Sequence, residues 1–245
     1  MSENVYLAVD LGASGGRVFA GLFDGQSLRL DELHRFEHAA IPAAGSLYWD
    51  VLALWREILN GLRAGRAKYG ARVRSVGVDA WGVDFGLLGR GDTLLGNPHS
   101  YRDPRTQGVM QRTLERVDRQ QIYSATGVQF MPINTLYQVM AMRERQSPLL
   151  DVSRAFVMIP DLFHWLLTGE QCNEFTNATT TQMFDPTRRG WATDLLSRLE
   201  LPTDIFPRLV EPGTKLGRLR PSVAEETGLS GVTVTVPATH DTASA

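Results

Sequence analysis

The residues with the clearest chemical potential lie in the first strand-forming segment of the chain. An apolar run over residues 5–9 ends at Asp10, a turn of small residues follows, and a second apolar run covers residues 18–23. Residues without bulky side chains let backbone N–H groups approach a phosphate closely, and an aspartate can hold a metal ion directly or through water. A plain hairpin with a glycine-rich turn explains the same pattern equally well. The segment by itself therefore leaves a phosphate site and a hairpin as open alternatives.

A second acidic residue of interest lies near the other end of the sequence. An apolar strand pattern over residues 232–237 leads directly to Thr239, His240 and Asp241. Ligands of open α/β sheets usually bind at the carboxyl ends of strands, which is where this pattern puts Asp241. An aspartate between a strand and a helix is also common as a helix N-cap. Both interpretations stay open on the local sequence.

Length and composition are typical of a globular protein with one large domain or two small ones. The chain has 245 residues, 43% of them hydrophobic, and a formal net charge of -2. The lack of a basic excess argues against nucleic-acid and membrane-surface partners, and no apolar run reaches the roughly 20 residues that span a bilayer. Glu3 stands where a signal peptide would carry basic residues, and the one cysteine, Cys172, permits no internal disulfide. We therefore expect a cytoplasmic protein.

Two familiar nucleotide-binding motifs are missing from the sequence. Neither lysine, Lys68 or Lys215, follows a glycine, so the P-loop pattern is absent. The stretch from Gly12 to Arg17 lacks the G-x-G-x-x-G spacing and leads into a strand pattern instead of a helix. Any nucleotide must therefore bind without a P-loop lysine or a dinucleotide fingerprint.

Hydrophobic periodicity predicts strands and helices in an order typical of a mixed α/β sheet. Asp50 is predicted to cap a helix that ends near Gly70, and apolar runs on either side of residues 80–82 predict a hairpin that carries Asp79 and Asp84 as candidate paired carboxylates. Strands are expected at 5–9, 17–23, 28–36, 73–79, 83–88 and 232–237, helices at 51–69, 104–118, 135–146, 160–168, 193–200 and 222–227, and a loop with a short strand at 173–182. The nearly all-apolar first strand is expected at the centre of its sheet, with the second and third closer to an edge. We expect one continuous domain over residues 1–245.

Taken in order, the motifs of the chain resemble the N-terminal half of the FGGY carbohydrate kinases. The stretch from Asp10 to Arg17 is similar to the first phosphate motif of the actin, Hsp70 and sugar kinase superfamily. The other motifs that carry the resemblance lie at 78–85, 101–103, 159–161, 167–169, 176–180 and 240–242. Within the family the chain is most similar to the branch that phosphorylates L-rhamnulose, on stretches 81–85, 134–138, 176–182 and 240–245. Thr135 and Tyr137 replace the lysine and tryptophan of many members, which favours that branch over glycerol or xylulose kinases.

The resemblance implies an α/β fold of the ribonuclease-H-like (actin/hexokinase/Hsp70-type) kind, with a mixed sheet flanked by helices. It implies Asp241 as the base that accepts a proton from the sugar, and Asp10 as a residue that holds Mg²⁺ through water. The residues implied at the phosphates of ATP are Ala13, Ser14, Gly15, Gly16 and Arg17, and those implied at the sugar are Trp81, Gly82, His240, Asp241 and Thr242. From the residues alone, Arg17 is also explained as a surface charge, Trp81 as core, and Gly82 as a turn glycine with positive φ.

The implied reaction transfers the γ-phosphate of ATP, with Mg²⁺, to L-rhamnulose and gives ADP and L-rhamnulose 1-phosphate. A kinase for another ketose, such as fuculose or xylulose, and a non-catalytic sugar-binding module are the alternatives. Members of the family carry a second, C-terminal domain that supplies most contacts to the nucleotide, so the resemblance implies that domain as an intramolecular partner. We expect the 245-residue chain by itself to be inactive.

Overall fold

The computed structural model of the protein describes residues 4–245, so Glu3 lies outside the described residues. The strands are β1 (Asn4–Leu11), β2 (Gly15–Phe23), β3 (Leu28–Glu37), β4 (Ile41–Ala43), β5 (Ser46–Tyr48), β6 (Val73–Ala80), β7 (Phe85–Gly89), β8 (Thr93–Leu94), β9 (Ala155–Met158), β10 (Asn173–Glu174), β11 (Phe184–Asp185), β12 (Gly190–Trp191), β13 (Leu209–Val210), β14 (Lys215–Arg218) and β15 (Thr233–Thr235). The α-helices are α1 (Val51–Tyr69), α2 (Val109–Arg116), α3 (Arg119–Thr126), α4 (Thr135–Glu144), α5 (Pro148–Val152), α6 (Ile159–Thr168), α7 (Phe175–Ala178), α8 (Thr193–Arg198), α9 (Pro221–Thr227) and α10 (Asp241–Ser244).

Six strands form one mixed sheet in the order β14-β15-β6-β1-β2-β3. Strands β1, β2 and β3 pair antiparallel in succession, whereas β6 pairs parallel with both β1 and β15. The predicted central place of the first strand and the outward place of the next two are confirmed, and so is the mixed sheet flanked by helices. Parallel pairing brings the carboxyl ends of β1, β6 and β15 to one edge of the sheet.

Helix α1 packs against β1, β2 and β3 and closes one side of the main core. Burial alternates along β1, so that Leu7 is buried while the neighbouring Tyr6 is exposed. Gly61 lets α1 approach β2 closely, because a Cβ at this position would collide with Val18. The predicted cap is confirmed: Asp50 Oδ1 accepts a hydrogen bond from the backbone N–H of Ala53 at 3.0 Å.

A second hydrophobic cluster lies outside the main core and contains residues of β7, β9, α4 and α8. Strand β7 pairs antiparallel with β8 and β9 in a separate three-stranded sheet. The predicted hairpin between residues 73–79 and 83–88 is therefore wrong, because β6 and β7 belong to different sheets. Val83 has a φ of +66°, a left-handed conformation that turns the chain away from β6.

Two further expectations differ from the observed elements. The helix expected at 104–118 is interrupted at Gly108 (φ +74°), which separates a 3₁₀-helix at Pro104–Thr106 from α2. The short strand expected within 173–182 is confirmed as β10, but the rest of the segment is mostly helical, because Glu174 accepts hydrogen bonds from the first N–H groups of α7. Strand β9 was not predicted, since a short apolar run gives no clear periodicity. Over residues 4–245, no helix combines the length and the apolar character needed to cross a membrane.

Candidate active site

Three aspartates occupy the edge where the parallel strands end. Asp10 of β1 lies directly opposite Asp79 of β6 in the parallel register. The next residue along β6, Ala80, forms a parallel bridge with His240, and its N–H donates to the carbonyl of Thr239 at 2.9 Å. Asp241 follows at once. The strand register therefore places Asp10 and Asp241 on either side of Asp79.

The position of Asp79 between the other two carboxylates affects its ionisation. Burial, and then the negative charges of Asp10 and Asp241, raise the pKa of Asp79 to about 7. The strand register places both neighbours close enough for their charges to act on Asp79. The sequence offered Asp79 only as a partner of Asp84, and the parallel register that joins it to Asp10 could not be read from the local pattern.

The turn between β1 and β2 presents a cation and small residues beside Asp10. Arg17 Nη2 lies 3.1 Å from Asp10 Oδ2, and both side chains are partly exposed. The N–H of Gly12 donates to the carbonyl of Gly15 at 2.9 Å and closes the turn. Gly16 must be a glycine, because a Cβ would collide with the ring of Phe36. Of the remaining predicted phosphate-site residues, Ser14 is exposed at the tip and Ala13 is half-buried.

The segment that carries Asp241 is held by its own hydrogen bonds. Asp241 Oδ1 accepts from the N–H of Thr242 at 2.7 Å and lies 3.4 Å from His240 Nε2. Asp241 is the first residue of α10 and His240 occupies the N-cap position, so the alternative of an aspartate N-cap is wrong. The Asp241 side chain is 37% exposed and is therefore accessible from solvent at this edge of the sheet.

Trp81 and Gly82 form the loop that leaves β6. Trp81 is only 4% exposed and packs on Trp49 with ring centroids 4.4 Å apart, so the core alternative describes its position. Gly82 lacks a positive φ, which falls on Val83 instead. A Cβ on Gly82 would lie 2.9 Å from Thr180 Cγ2, so this glycine permits close approach of the loop to Thr180.

The buried carboxylate of Asp84 holds this loop in place by accepting hydrogen bonds. Asp84 Oδ2 accepts from Trp49 Nε1 at 2.6 Å, from Trp81 Nε1 at 3.0 Å and from the N–H of Tyr101 at 3.0 Å. Its Oδ1 accepts from Gln138 Nε2 at 2.9 Å. Burial raises the pKa of Asp84 to about 6, although the four donors act in the opposite direction. Asp84 is thus part of the framework, and it does not form a carboxylate pair with Asp79.

A cavity of about 460 Å³ lies between the end of β3 and the first turns of α1. Its wall includes His38, whose ring packs on Trp81 at 5.6 Å between centroids. None of the predicted site residues lines this cavity. The cavity is therefore separate from these residues, and its wall contacts the loop after β6 through the packing of His38 on Trp81.

The donor set at the edge suits a hydrated Mg²⁺ better than a fully enclosed ion. Within residues 4–245 no group of three or more His, Cys, Asp or Glu side chains is placed to hold a metal. Mg²⁺ dehydrates reluctantly and commonly binds through one or two carboxylates while it keeps several waters. Asp10, with a side chain 32% exposed, fits a contact through water.

The fold and this acidic edge define a class that comparison with known proteins identifies. Residues 5–245 match the model of the FGGY family of carbohydrate kinases, N-terminal domain, and the chain belongs to that family. Among curated relatives, a rhamnulokinase from Halalkalibacterium halodurans is 43% identical over 242 residues, which cover 99% of this chain and 51% of the relative. A rhamnulokinase from Bacteroides thetaiotaomicron is 38% identical over 245 residues, 100% of this chain and 50% of the relative. The chain thus spans about half the length of the curated relatives it matches.

Solved structures agree on the fold. Gluconate kinase from Lactobacillus acidophilus superposes with a TM-score of 0.86 at 17% identity, over 96% of this chain and 48% of that one. Xylulose kinase from the same organism gives a TM-score of 0.85 at 16% identity, with the same coverage. At such low identity the likeness establishes the shared fold and does not extend to substrate.

The pKa of Asp79 predicts how stability depends on pH. Because its folded-state pKa of about 7 lies above the ordinary value of 3.8, the stabilisation that protonated Asp79 contributes is complete below pH 4 and is lost as the pH rises through 7. Asp79→Asn removes this loss. We expect the difference in free energy of unfolding between Asp79→Asn and the wild type to be larger at pH 8 than at pH 4. The increase should be on the order of 2–4 kcal/mol, at about 1.4 kcal/mol per pKa unit.

Urea unfolding of the wild type and the variant at pH 4 and pH 8 measures this difference. The exposed Asp151→Asn is the matched control, for which we expect the same pH dependence as in the wild type. A constant gap between Asp79→Asn and wild type at the two pH values would show that Asp79 ionises normally.

Proposed function

We propose that this chain is the sugar-binding part of a kinase that transfers the γ-phosphate of ATP to L-rhamnulose, giving ADP and L-rhamnulose 1-phosphate. The observation that carries the proposal is the parallel register that sets Asp10, Asp79 and Asp241 side by side at the carboxyl ends of neighbouring strands. Ligands of open α/β sheets bind at such ends. The choice of L-rhamnulose is supported by relatives named rhamnulokinase at 38–43% identity.

In this proposal Asp241 is the catalytic base. Its partly exposed carboxylate accepts the proton of the sugar 1-hydroxyl while the hydroxyl oxygen attacks the γ-phosphorus and ADP leaves. The hydrogen bond from the N–H of Thr242 to Oδ1 fixes the orientation of the carboxylate. Phosphoryl transfer depends mainly on positioning and charge stabilisation, so a fixed orientation at this residue favours the reaction.

The turn after β1 is proposed to receive the phosphates of ATP. Arg17 offers a guanidinium to the phosphate oxygens, and the small residues from Ala13 to Gly16 let the backbone approach them. Asp10 would orient the water shell of the Mg²⁺ that enters with ATP, and this ion offsets charge on the phosphates. The existing ion pair between Asp10 and Arg17 keeps both groups at the mouth of the crevice.

The sugar is proposed to lie between the loop after β6 and the segment around Asp241. His240 and Thr242 flank the base and offer polar contacts, and Gly82 offers backbone. Trp81 is proposed to act from the core, because its buried ring is held by Asp84 and Trp49 and so fixes the path of the loop.

We further propose that a C-terminal domain supplies most contacts to adenine and ribose, since the chain matches about half of each curated relative. A kinase that draws on the metabolic ATP pool belongs in the cytoplasm. Sugar, ATP and that domain are then the partners of residues 1–245.

Replacement of the base tests the proposed chemistry. In the full-length protein, we expect Asp241→Asn to lower kcat for L-rhamnulose by about 10²–10⁴-fold, the usual range for a lost general base. The amide keeps the size of the side chain, so circular dichroism and melting temperature should stay near wild type. The exposed Asp151→Asn is the control, with an unchanged kcat expected.

The same assay, run on a panel of ketoses that includes fuculose and xylulose, tests the substrate. A wild-type protein that prefers another ketose would replace L-rhamnulose in the proposal. Near-normal turnover by folded Asp241→Asn would remove this residue from the mechanism.

The proposed nucleotide contacts of a C-terminal domain give a separate prediction. We expect the 245-residue chain by itself to bind ATP weakly and to phosphorylate L-rhamnulose at a negligible rate, because half of the proposed cleft is missing. Isothermal titration with ATP and a coupled ADP assay measure the two quantities, with the full-length protein as the positive control. Robust turnover by the 245-residue chain would contradict the two-domain proposal.

A further inference from the structure

Glu174 is a fully buried carboxylate that the sequence motifs do not single out. It ends the short strand β10 and lies 65 positions before Thr239 in the chain, yet it contacts that residue directly. We propose that Glu174 is the positioning residue that fixes the backbone before Asp241 and so aims its carboxylate at the substrate. The inference rests on the proposed function, because it assigns Glu174 a part in the same reaction.

The contacts of one oxygen carry the proposal. Glu174 Oε2 accepts from the N–H of Thr239 at 2.8 Å, from the Thr239 hydroxyl at 2.8 Å and from the Thr176 hydroxyl at 2.6 Å. The oxygen of that Thr176 hydroxyl accepts in turn from the N–H of His240 at 3.2 Å. Two consecutive backbone N–H groups, directly before Asp241, are thus held by a single carboxylate.

The carbonyl side of the same peptide is fixed as well. The carbonyl of Thr239 accepts from the N–H of Ala80 at 2.9 Å and from Asn177 Nδ2 at 3.3 Å. Ala80 follows Asp79, so the segment is tied to the end of β6. These buried hydrogen bonds fix the position of Asp241 relative to Asp79 and Asp10.

The two acceptor oxygens of Glu174 suit this task. All of its partners are donors, and bonds to a carboxylate are roughly twice as strong as neutral ones. In the part of the chain from residue 4 onward, no basic side chain forms an ion pair with it. Glutamine would turn one acceptor oxygen into an NH₂ donor, so that a buried donor would face other donors and lose its partner.

Glu174 also stabilises the start of α7. The experiment must distinguish this structural role from the proposed positioning of Asp241. Its Oε1 accepts from the N–H of Thr176 at 2.8 Å, and its Oε2 accepts more weakly from the N–H of Asn177 at 3.4 Å. Thr239→Val deletes only the hydroxyl bond to Glu174 and leaves these contacts in place. Thr179→Val is the matched control, because it deletes a hydroxyl bond to the carbonyl of Thr176 in the same region without touching Glu174 or Thr239.

The experiment compares Glu174→Gln, Thr239→Val and Thr179→Val in the full-length protein. For Glu174→Gln we expect kcat to fall about 10²-fold, as a misplacement of roughly 1 Å can cause, with KM for ATP within about twofold of wild type. For Thr239→Val we expect a fall of about tenfold, equivalent to about 1.4 kcal/mol. Thr179→Val should leave kcat unchanged even where it lowers the melting temperature.

Amide hydrogen exchange at Thr239 and His240 gives a readout independent of activity. We expect exchange at these two amides to become about tenfold faster in Glu174→Gln or Thr239→Val, as for a loss of about 1.4 kcal/mol of protection, but not in Thr179→Val. Values of kcat near wild type in Thr239→Val and in folded Glu174→Gln, or unchanged exchange in both, would overturn the inference. Should Glu174→Gln fail to fold, Thr239→Val decides by the same criteria.

The two proposals fail in different ways. A wild-type protein that phosphorylates no ketose overturns the proposed function, and the positioning role in that reaction falls with it, whatever the exchange data give. An active wild type whose kcat changes neither in Thr239→Val nor in folded Glu174→Gln overturns the role of Glu174 alone.

Discussion

The parallel pairing of β6 with β1 on one side and β15 on the other decides where the acidic residues of the site lie. Parallel strands end at the same edge of a sheet, and the register sets Asp10 opposite Asp79 and Ala80 opposite His240. Asp241 must then follow beside Asp79. Residues more than 230 positions apart in sequence thus meet because of backbone hydrogen bonds. Burial, and then the charges of the two neighbouring aspartates, raise the pKa of Asp79.

Two buried carboxylates, Asp84 and Glu174, hold the loops that follow these strands. Asp84 holds the indole N–H groups of Trp49 and Trp81 and so fixes the loop after β6. Glu174 holds the backbone N–H of Thr239 and, through Thr176, that of His240. Each carboxyl group is surrounded by hydrogen-bond donors, which offsets the cost of burying it. The loops of the site are therefore anchored to polar groups inside the protein, while the Asp241 carboxylate stays partly exposed.

The sequence was sufficient for the parts of the fold that depend on local pattern. The β1–β3 strands, helix α1 and the Asp50 cap follow from periodicity and capping chemistry, and the family motifs indicated the fold class. Pairing between distant segments was less accessible: residues 83–88 look like the return strand of a hairpin, yet the positive φ of Val83 sends them to another sheet. Glu174 gave no signal, because its importance comes from a contact with Thr239 that exists only after folding. The roles assigned to the site residues stay predictions.

The central claim is that Asp10, Asp79 and Asp241 share one crevice and feel one another's charge. Carbon-13 NMR titration of the Asp79 carboxyl, in the wild type and in Asp10→Asn and Asp241→Asn, tests this claim most directly. Both charges raise the pKa of Asp79 in the wild type, so each substitution should lower that pKa, while Asp151→Asn should leave it in place. If the pKa of Asp79 is unchanged in both variants, the three carboxyl groups do not lie close together, and the proposed site is wrong.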